Sequence, residues 1–195
     1  CLPTDVLALL AELNKKTNLW VELGLQTADA QSAAFIRRGY PLSVFTQAVY
    51  ALAERNIPVV VHIILGLPGE SRETVLRTID YLNRLPIQGV KLQLLHVLSD
   101  SDLADLYRAG EYTPLEKEEY LTLVGDCIAH LRADIVLHRL TGDGDKNTLL
   151  APLWSLRKRD VLNHLHRYLK ENHIRQGMSC KIDLSVIYNK PKDVL

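Results

Sequence analysis

Two polar residues interrupt the otherwise apolar stretch Val21-Glu22-Leu23-Gly24-Leu25-Gln26-Thr27. Side chains alternate along an extended strand, so Glu22 and Gln26, four positions apart, emerge on the same face. A carboxylate inside a parallel sheet is costly unless it meets a cation or a polar ligand. Two readings therefore stand for Glu22: contact with a bound ligand, or pairing with a neighbouring Lys or Arg. A second set follows in His62-Ile63-Ile64-Leu65-Gly66-Leu67-Pro68-Gly69-Glu70. His62, Ile64 and Gly66 share one face of a strand. Gly66, at the strand end, permits a flat ligand to approach the backbone. The amides opening the next helix can receive anionic or polar groups. Alone, a Gly-Leu-Pro-Gly segment is a turn, and a single strand histidine is more often structural than catalytic.

A third set is cationic. Residues 157–195 hold nine Lys/Arg against four Asp/Glu, whereas the rest of this neutral chain carries fourteen against nineteen. Arg157, Lys158 and Arg159, with His164, His166, Arg167 and Lys170 on the next turns, suit contact with phosphates. A solvated basic helix explains the same residues equally well. His164 and His166 diverge on a helix and make poor joint metal ligands. The three cysteines, Cys1, Cys127 and Cys180, give neither a disulfide framework nor closely spaced metal ligands. Cys127 lies on an apolar helical stripe and is expected in the core.

These residues need a scaffold, and the chain supplies one. Its 195 residues are 47% apolar and 24% charged, the composition of a globular domain. No apolar run approaches the ~20 residues needed to span a bilayer, and nothing resembles a signal peptide, so a cytoplasmic protein is expected. Residues 19–25, 57–65, 90–97 and 135–140 read as strands, with a further strand around Ile182 to Ile187. Helices are expected from Pro3 to Leu13, after an Asp29 cap, along Phe45, Val49 and Leu52, and along Val75, Ile79 and Leu82. Another should start at Thr113-Pro114-Leu115-Glu116, read as a capping box with proline at the first helical position. The basic helix carries Val161, Leu162, Leu165 and Leu169. Regular strand–helix alternation means parallel βαβ units, either in part of a βα-barrel or in a doubly wound sheet. Both place ligands at the C-terminal ends of the strands. The chain opens at Cys1 rather than Met, and a fragment is the simpler expectation.

Taken together, Glu22-Leu-Gly-Leu-Gln-Thr27, the Arg38-Gly39 turn, His62-x-Ile-Leu-Gly-Leu-Pro-Gly-Glu70 and Arg139-Leu-Thr-Gly-Asp143 resemble the radical S-adenosylmethionine superfamily. Within it they are similar to the Elp3-like branch, of the bacterial YhcC/YtqA type. The resemblance implies the C-terminal half of a partial (β/α)6 barrel, an α/β fold with parallel strands inside and helices outside. Residues 1–145 would form the half barrel and residues 146–195 a basic helix and tail extension. It also implies an enzyme in which a [4Fe–4S] cluster reductively cleaves S-adenosylmethionine, acting on transfer RNA at a wobble uridine.

Carried onto this chain, the resemblance places Glu22 and Gln26 beside the ribose and methionine end of the cofactor. Arg38 would pair with the methionine carboxylate, Ile64 and Gly66 would flank the adenine, and Leu95 would cover its other face. His62 stands where relatives have a small or polar residue. Two parts of the family pattern are missing: the Cys-x3-Cys-x2-Cys loop and the Gly-Gly-Glu segment. The chain alone is therefore expected to bind no cluster, to hold S-adenosylmethionine weakly and to be inactive. It is also expected to dimerise through an open barrel edge. The competing readings are a non-catalytic scaffold derived from the family and an unrelated βα-barrel enzyme using Glu22.

Overall fold

The computed structural model describes residues 2–142 and 144–182. Four strands form a parallel sheet in the order β1 (Val21–Gln26), β2 (Val59–Leu65), β3 (Gly89–Leu94) and β5 (Val136–Arg139). Val21 pairs with Val59, Val60 with Gly89, and Gly89 with Val136. The four strands read from the sequence are present in sequence order and in parallel, as short right-handed crossovers require. The further strand expected near the C-terminus, and Asp143 of the closing motif, fall outside the described residues.

The two faces of this sheet differ sharply. Leu25, Val59, Val61, Ile63, Leu65, Val90, Leu92 and Leu94 point into one continuous core. The helices α3 (Leu42–Ala53), α4 (Arg72–Leu82), α6 (Lys117–His130) and α7 (Lys158–Glu171) close it with Phe45, Val49, Val75, Ile79, Val124, Cys127, Val161 and Leu165. Burying such apolar side chains is the main drive for this layer, at about 25 cal/mol per Å². Cys127 is fully buried, and its burial pushes the thiol up, so it acts as a core residue. On the opposite face stand Glu22, His62, Ile64, Lys91 and Gln93, only partly covered or exposed. An α/β sheet with helices on its core side and a polar inner face matches half of a barrel wall.

Three local expectations are corrected. The helix α6 starts at Lys117, with Glu116 as its cap and the Glu119 carboxylate accepting from the Glu116 amide in the reciprocal contact, rather than at Thr113-Pro114. The reason is tertiary: Leu115 packs against Gly66, and its carbonyl accepts from the Trp154 indole at 3.2 Å, so the segment stays extended. The third strand stops at Leu94 instead of running to residue 97. Val97–Leu98 forms β4, which pairs antiparallel with β6 (Leu149–Ala151) in a separate small sheet. In helix α1 (Thr4–Asn14) Leu7 is the buried anchor, while Leu13 is exposed. Helix α2 (Ala30–Phe35) does begin at its Asp29 cap, whose carboxylate accepts from the Ser32 amide at 2.9 Å. That contact holds the Asp29 carboxyl below its ordinary range. Helix α5 (Asp102–Arg108) and a short 3-10 helix, Leu153–Leu156, complete the described elements.

Candidate functional site

On the inner face, β1, β2 and β3 bring three charged or titratable side chains to one point. A single oxygen of Glu22, Oε2, lies 2.6 Å from His62 Nε2 and 2.5 Å from Lys91 Nζ. His62 and Lys91 are register partners on β2 and β3, and Gly24 occupies the same row on β1. Glu22 reaches across the neighbouring β2 to Lys91 on β3. The lysine hydrogen bond outweighs desolvation and holds the Glu22 carboxyl down to about 2. Of the two readings of Glu22, pairing with a cation is what the structure shows; Lys91 is the partner that sequence reasoning did not single out.

Gln26 shares the face of Glu22, as alternation requires, but with a twist. The ladder shifts between Gly24 and Gln26, and Gln26 takes a φ of 60°. Its side-chain amide folds back over Gly24, where a Cβ would collide with it. With the amide nitrogen turned inward it donates to the Gly24 and Leu25 carbonyls at 3.0 Å. Gly24 is thus required by close approach.

Arg38 sits beside the same strand end. Its Nη1 donates to the Leu25 and Thr27 carbonyls at 3.2 and 2.6 Å, and its Nε donates to the Tyr40 carbonyl at 3.1 Å. The guanidinium carbon lies 5.1 Å from the centre of the Tyr40 ring, and the Tyr40 hydroxyl donates to the Gly24 carbonyl. Arg38 is therefore fixed in one orientation with Nη2 left over among the described residues, the geometry that suits a planar anion. The same contacts cap the far part of the β1 edge.

The loop after β2 is held by a polar network. The buried Thr27 hydroxyl donates to Glu70 at 2.5 Å, and its oxygen accepts from the Asp29 amide. The Thr78 hydroxyl accepts from the Ala28 amide at 3.0 Å. Burial raises the Glu70 carboxyl above its ordinary value. Gly66 has a φ of 91°, faces the Leu115 side chain, and its carbonyl accepts from the Tyr112 hydroxyl at 2.8 Å. Desolvation pushes that phenol up to about 12. Ile64 lies half-buried between His62 and Gly66 on the inner face. Leu95 follows β3, donates its amide to the Leu65 carbonyl at 3.0 Å and packs against the small cluster of Val97, Ala104, Tyr112 and Ala151. His96, next to it, packs its ring against Gly142 and Gly144. No spacing in the sequence marks Tyr112 or His96, because their partners come from distant loops.

At the opposite, N-terminal end of the strands, Trp20 and His138 meet with ring centres 6.4 Å apart over Gly89. Far from all of this, Arg157, Lys158, Arg159, Arg167 and Lys170 are exposed at the start of α7 and along it, opposite its buried Val161 and Leu165. The structure does not bring them to the inner face. His164 instead lies 3.4 Å from Asp160, which also accepts from Lys117 at 3.0 Å. Among the described residues no group of three His, Cys, Asp or Glu side chains is arranged to hold a metal ion, and no helix is long and apolar enough to cross a membrane. Cys127 and Cys180 do not fit the ligand set of an iron–sulfur cluster: the first is sealed in the core.

Known proteins are similar to this chain in sequence and fold. The model of the Radical SAM superfamily matches residues 2–82, and that of the Radical_SAM C-terminal domain matches residues 87–171. The chain is 37% identical over 177 residues to the uncharacterized protein YtqA of Bacillus subtilis, covering 91% of this chain and 55% of that protein. It is 33% identical over 176 residues to the protein YhcC of Escherichia coli K12, covering 90% of this chain and 57% of that protein. A tRNA uridine(34) acetyltransferase of Methanocaldococcus jannaschii is 21% identical over 174 residues, 87% of this chain and 32% of that one. The solved structure of the archaeal Methanocaldococcus infernus Elp3 with an N-terminal deletion superposes with a TM-score of 0.76 at 17% identity, over 90% of this chain and 40% of that chain. The chain spans about half the length of the curated relatives YtqA and YhcC.

Proposed function

The chain belongs to the radical SAM superfamily, in its Elp3-like branch, and on that footing we propose that it supplies one wall of an S-adenosylmethionine site in a tRNA-modifying enzyme. The observation that carries this reading is Arg38: three backbone carbonyls fix its guanidinium at the C-terminal end of β1, with Nη2 uncommitted among the described residues. A methionine carboxylate is a planar anion of the kind such a fork receives. In this reading Glu22, Gln26 and His62 line the inner face beneath the cofactor, while Ile64, Gly66 and Leu95 bound the adenine. The cofactor, when bound beside a reduced [4Fe–4S] cluster, supplies the radical. The Cys-x3-Cys-x2-Cys loop that would hold that cluster is not in this sequence; in this reading its ligands lie in another part of a longer protein, and this chain by itself is inactive. Family membership removes the reading as an unrelated barrel.

The substrate reading rests on the tRNA uridine(34) acetyltransferases among the relatives and on the exposed basic surface of α7. There Arg157, Lys158, Arg159, Arg167 and Lys170 would take phosphates, residues 146–195 serving as the extension and residues 1–145 as the half barrel. The chain works in the cytoplasm, where its substrate is. The uncapped start of β1, flanked by Trp20 at 54% exposure, is the edge through which two copies would associate. Sedimentation at micromolar concentration tests this, and a single species independent of concentration rejects it.

The deciding experiment for the cofactor site is binding of S-adenosylmethionine to a complete relative-length protein and to its Arg38→Ala variant. The loss of one charge-assisted contact should weaken binding by roughly 1.5–3 kcal/mol. Equal affinity would return Arg38 to a purely structural role. Anaerobic reconstitution of this chain with iron and sulfide should give neither stoichiometric iron nor 5′-deoxyadenosine.

A further inference from the structure

Resting on the reading that ligands meet the inner face, we propose that His62 is a proton acceptor of that site, taking a proton through Nδ1 from an N–H or O–H of the bound ligand. Glu22 and Lys91 are its positioning residues. The argument starts from valence. Glu22 accepts Lys91 and His62 on the same oxygen, and an ionised carboxylate has no hydrogen to donate. The proton between Glu22 and His62 therefore belongs to Nε2. A neutral imidazole carries a single N–H, so Nδ1 is left with its lone pair. Nδ1 has no hydrogen-bond partner among the described residues, and the side chain is 24% exposed, on the inner face. An imidazole oriented by a carboxylate at one nitrogen and open at the other is the arrangement a general base needs.

The neighbours fit the same role. Lys91 holds the Glu22 carboxyl so low that it stays ionised and does not compete for the proton. Gly24, level with His62 on β1, has no side chain of its own and carries the folded-back Gln26 amide over it, and Ile64 offers an apolar neighbour toward Gly66. In the step itself a ligand N–H or O–H bond breaks and an Nδ1–H bond forms. The ligand keeps the electron pair and one negative charge. The imidazolium rests against Glu22, and the proton passes to water when the ligand leaves. No oxidant or reductant is involved.

Two measurements on this chain test the proposal. Long-range 1H–15N spectra of the histidine-labelled protein should show His62 protonated at Nε2 and unprotonated at Nδ1, and Glu22→Gln should convert this to a mixture of tautomers. Diethyl pyrocarbonate, which attacks unprotonated imidazole nitrogens, should modify His62 alongside the exposed His166 and His173, as read by peptide mass. In Glu22→Gln the His62 rate should change severalfold, with His166 and His173 unchanged as internal controls. A proton on Nδ1, or an unreactive His62 beside reactive His166 and His173, overturns the idea. Neither measurement uses S-adenosylmethionine, so failure of the Arg38 experiment and failure of this one are distinguishable.

Discussion

Glu22 and His62 are forty positions apart in the chain, yet a carboxylate oxygen and an imidazole nitrogen meet at 2.6 Å across β1 and β2. The pair exists only because the parallel register sets Gly24 beside His62 and leaves Glu22 two residues behind it. Lys91, from a third strand, completes the cluster. The inner face is therefore a polar surface with its charges already matched, ready to meet a ligand without first desolvating an unpaired carboxylate.

That matching has a pH signature. The folded Glu22 carboxyl lies at about 2, below its ordinary 4.5. A lowered carboxyl contributes stability that is complete above the unfolded value and is lost as pH falls through the folded one. Unfolding followed from pH 6 to pH 2 should show this loss setting in below about 4.5, the ordinary carboxyl range. Because the side chain is 37% exposed, screening reduces the contribution to about 1 kcal/mol. Glu22→Gln should flatten that part of the profile; an unchanged acid limb would contradict the assignment.

Glu70 should behave in the opposite sense. Its carboxyl is raised by burial, so the protonated form is favoured in the fold, and the group opposes folding increasingly as pH rises through its folded value. Glu70→Gln keeps an acceptor for the Thr27 hydroxyl and removes the buried charge. Thermal unfolding of the variant should show a Tm equal to the parent near pH 4 and higher than it at pH 8. A lower Tm at both pH values would mean that the ionised carboxylate is what the network needs.

Arg132 is the costliest side chain to remove. It is 2% exposed and donates to Asp134 at 3.0 and 3.2 Å and to the Asn83 and Leu85 carbonyls at 2.7 and 3.2 Å. Its backbone amide donates to the Asn83 side chain, which in turn donates to the His130 carbonyl. Arg132→Met keeps the volume but takes the guanidinium away from those buried carbonyls, while the Asp134 side chain, 32% exposed, remains in contact with water. Leaving buried carbonyls without their donor in this way costs about 1–3 kcal/mol, readable as a shift in the urea midpoint. A change below about 1 kcal/mol, the scale of exposed pairs, would mean that water replaces the guanidinium.

The basic surface of α7 should act on RNA through charge. Replacing Arg159, Arg167 or Lys170 singly by Gln in a complete relative-length protein should weaken transfer-RNA binding without regard to sequence. Each loss should reduce the slope of log K against log salt by about 1. Filter binding across a salt series reads this, and slopes that do not change would leave α7 as a solvated helix.

Much of this molecule is written in the chain order. The β-branched run that ends in β2, the apolar stripes of α3, α4 and α7, and the Asp29 cap each report a local periodicity or a local hydrogen bond. They can be read from neighbours a few positions apart, and so could the shared face of Glu22 and Gln26. The family resemblance was legible for the same reason: its motifs are short, contiguous and confined to strand ends.

What the tertiary structure alone decided is which distant groups meet. Lys91 sits in an ordinary alternating strand, and nothing in Val90-Lys91-Leu92 says that its ammonium will cross to Glu22 on a strand two places away. Helix α6 starts late because Leu115 is drawn onto Gly66 and Trp154 holds its carbonyl. The strand expected through residue 97 breaks at Leu94 because β6, more than fifty residues later, offers β4 a different partner. Arg132 and its carbonyl acceptors come together only when the ends of α4 and α6 pack. Local patterning fixes which face each side chain takes, since that depends on backbone period; the partner on that face depends on register and packing, which no single segment contains.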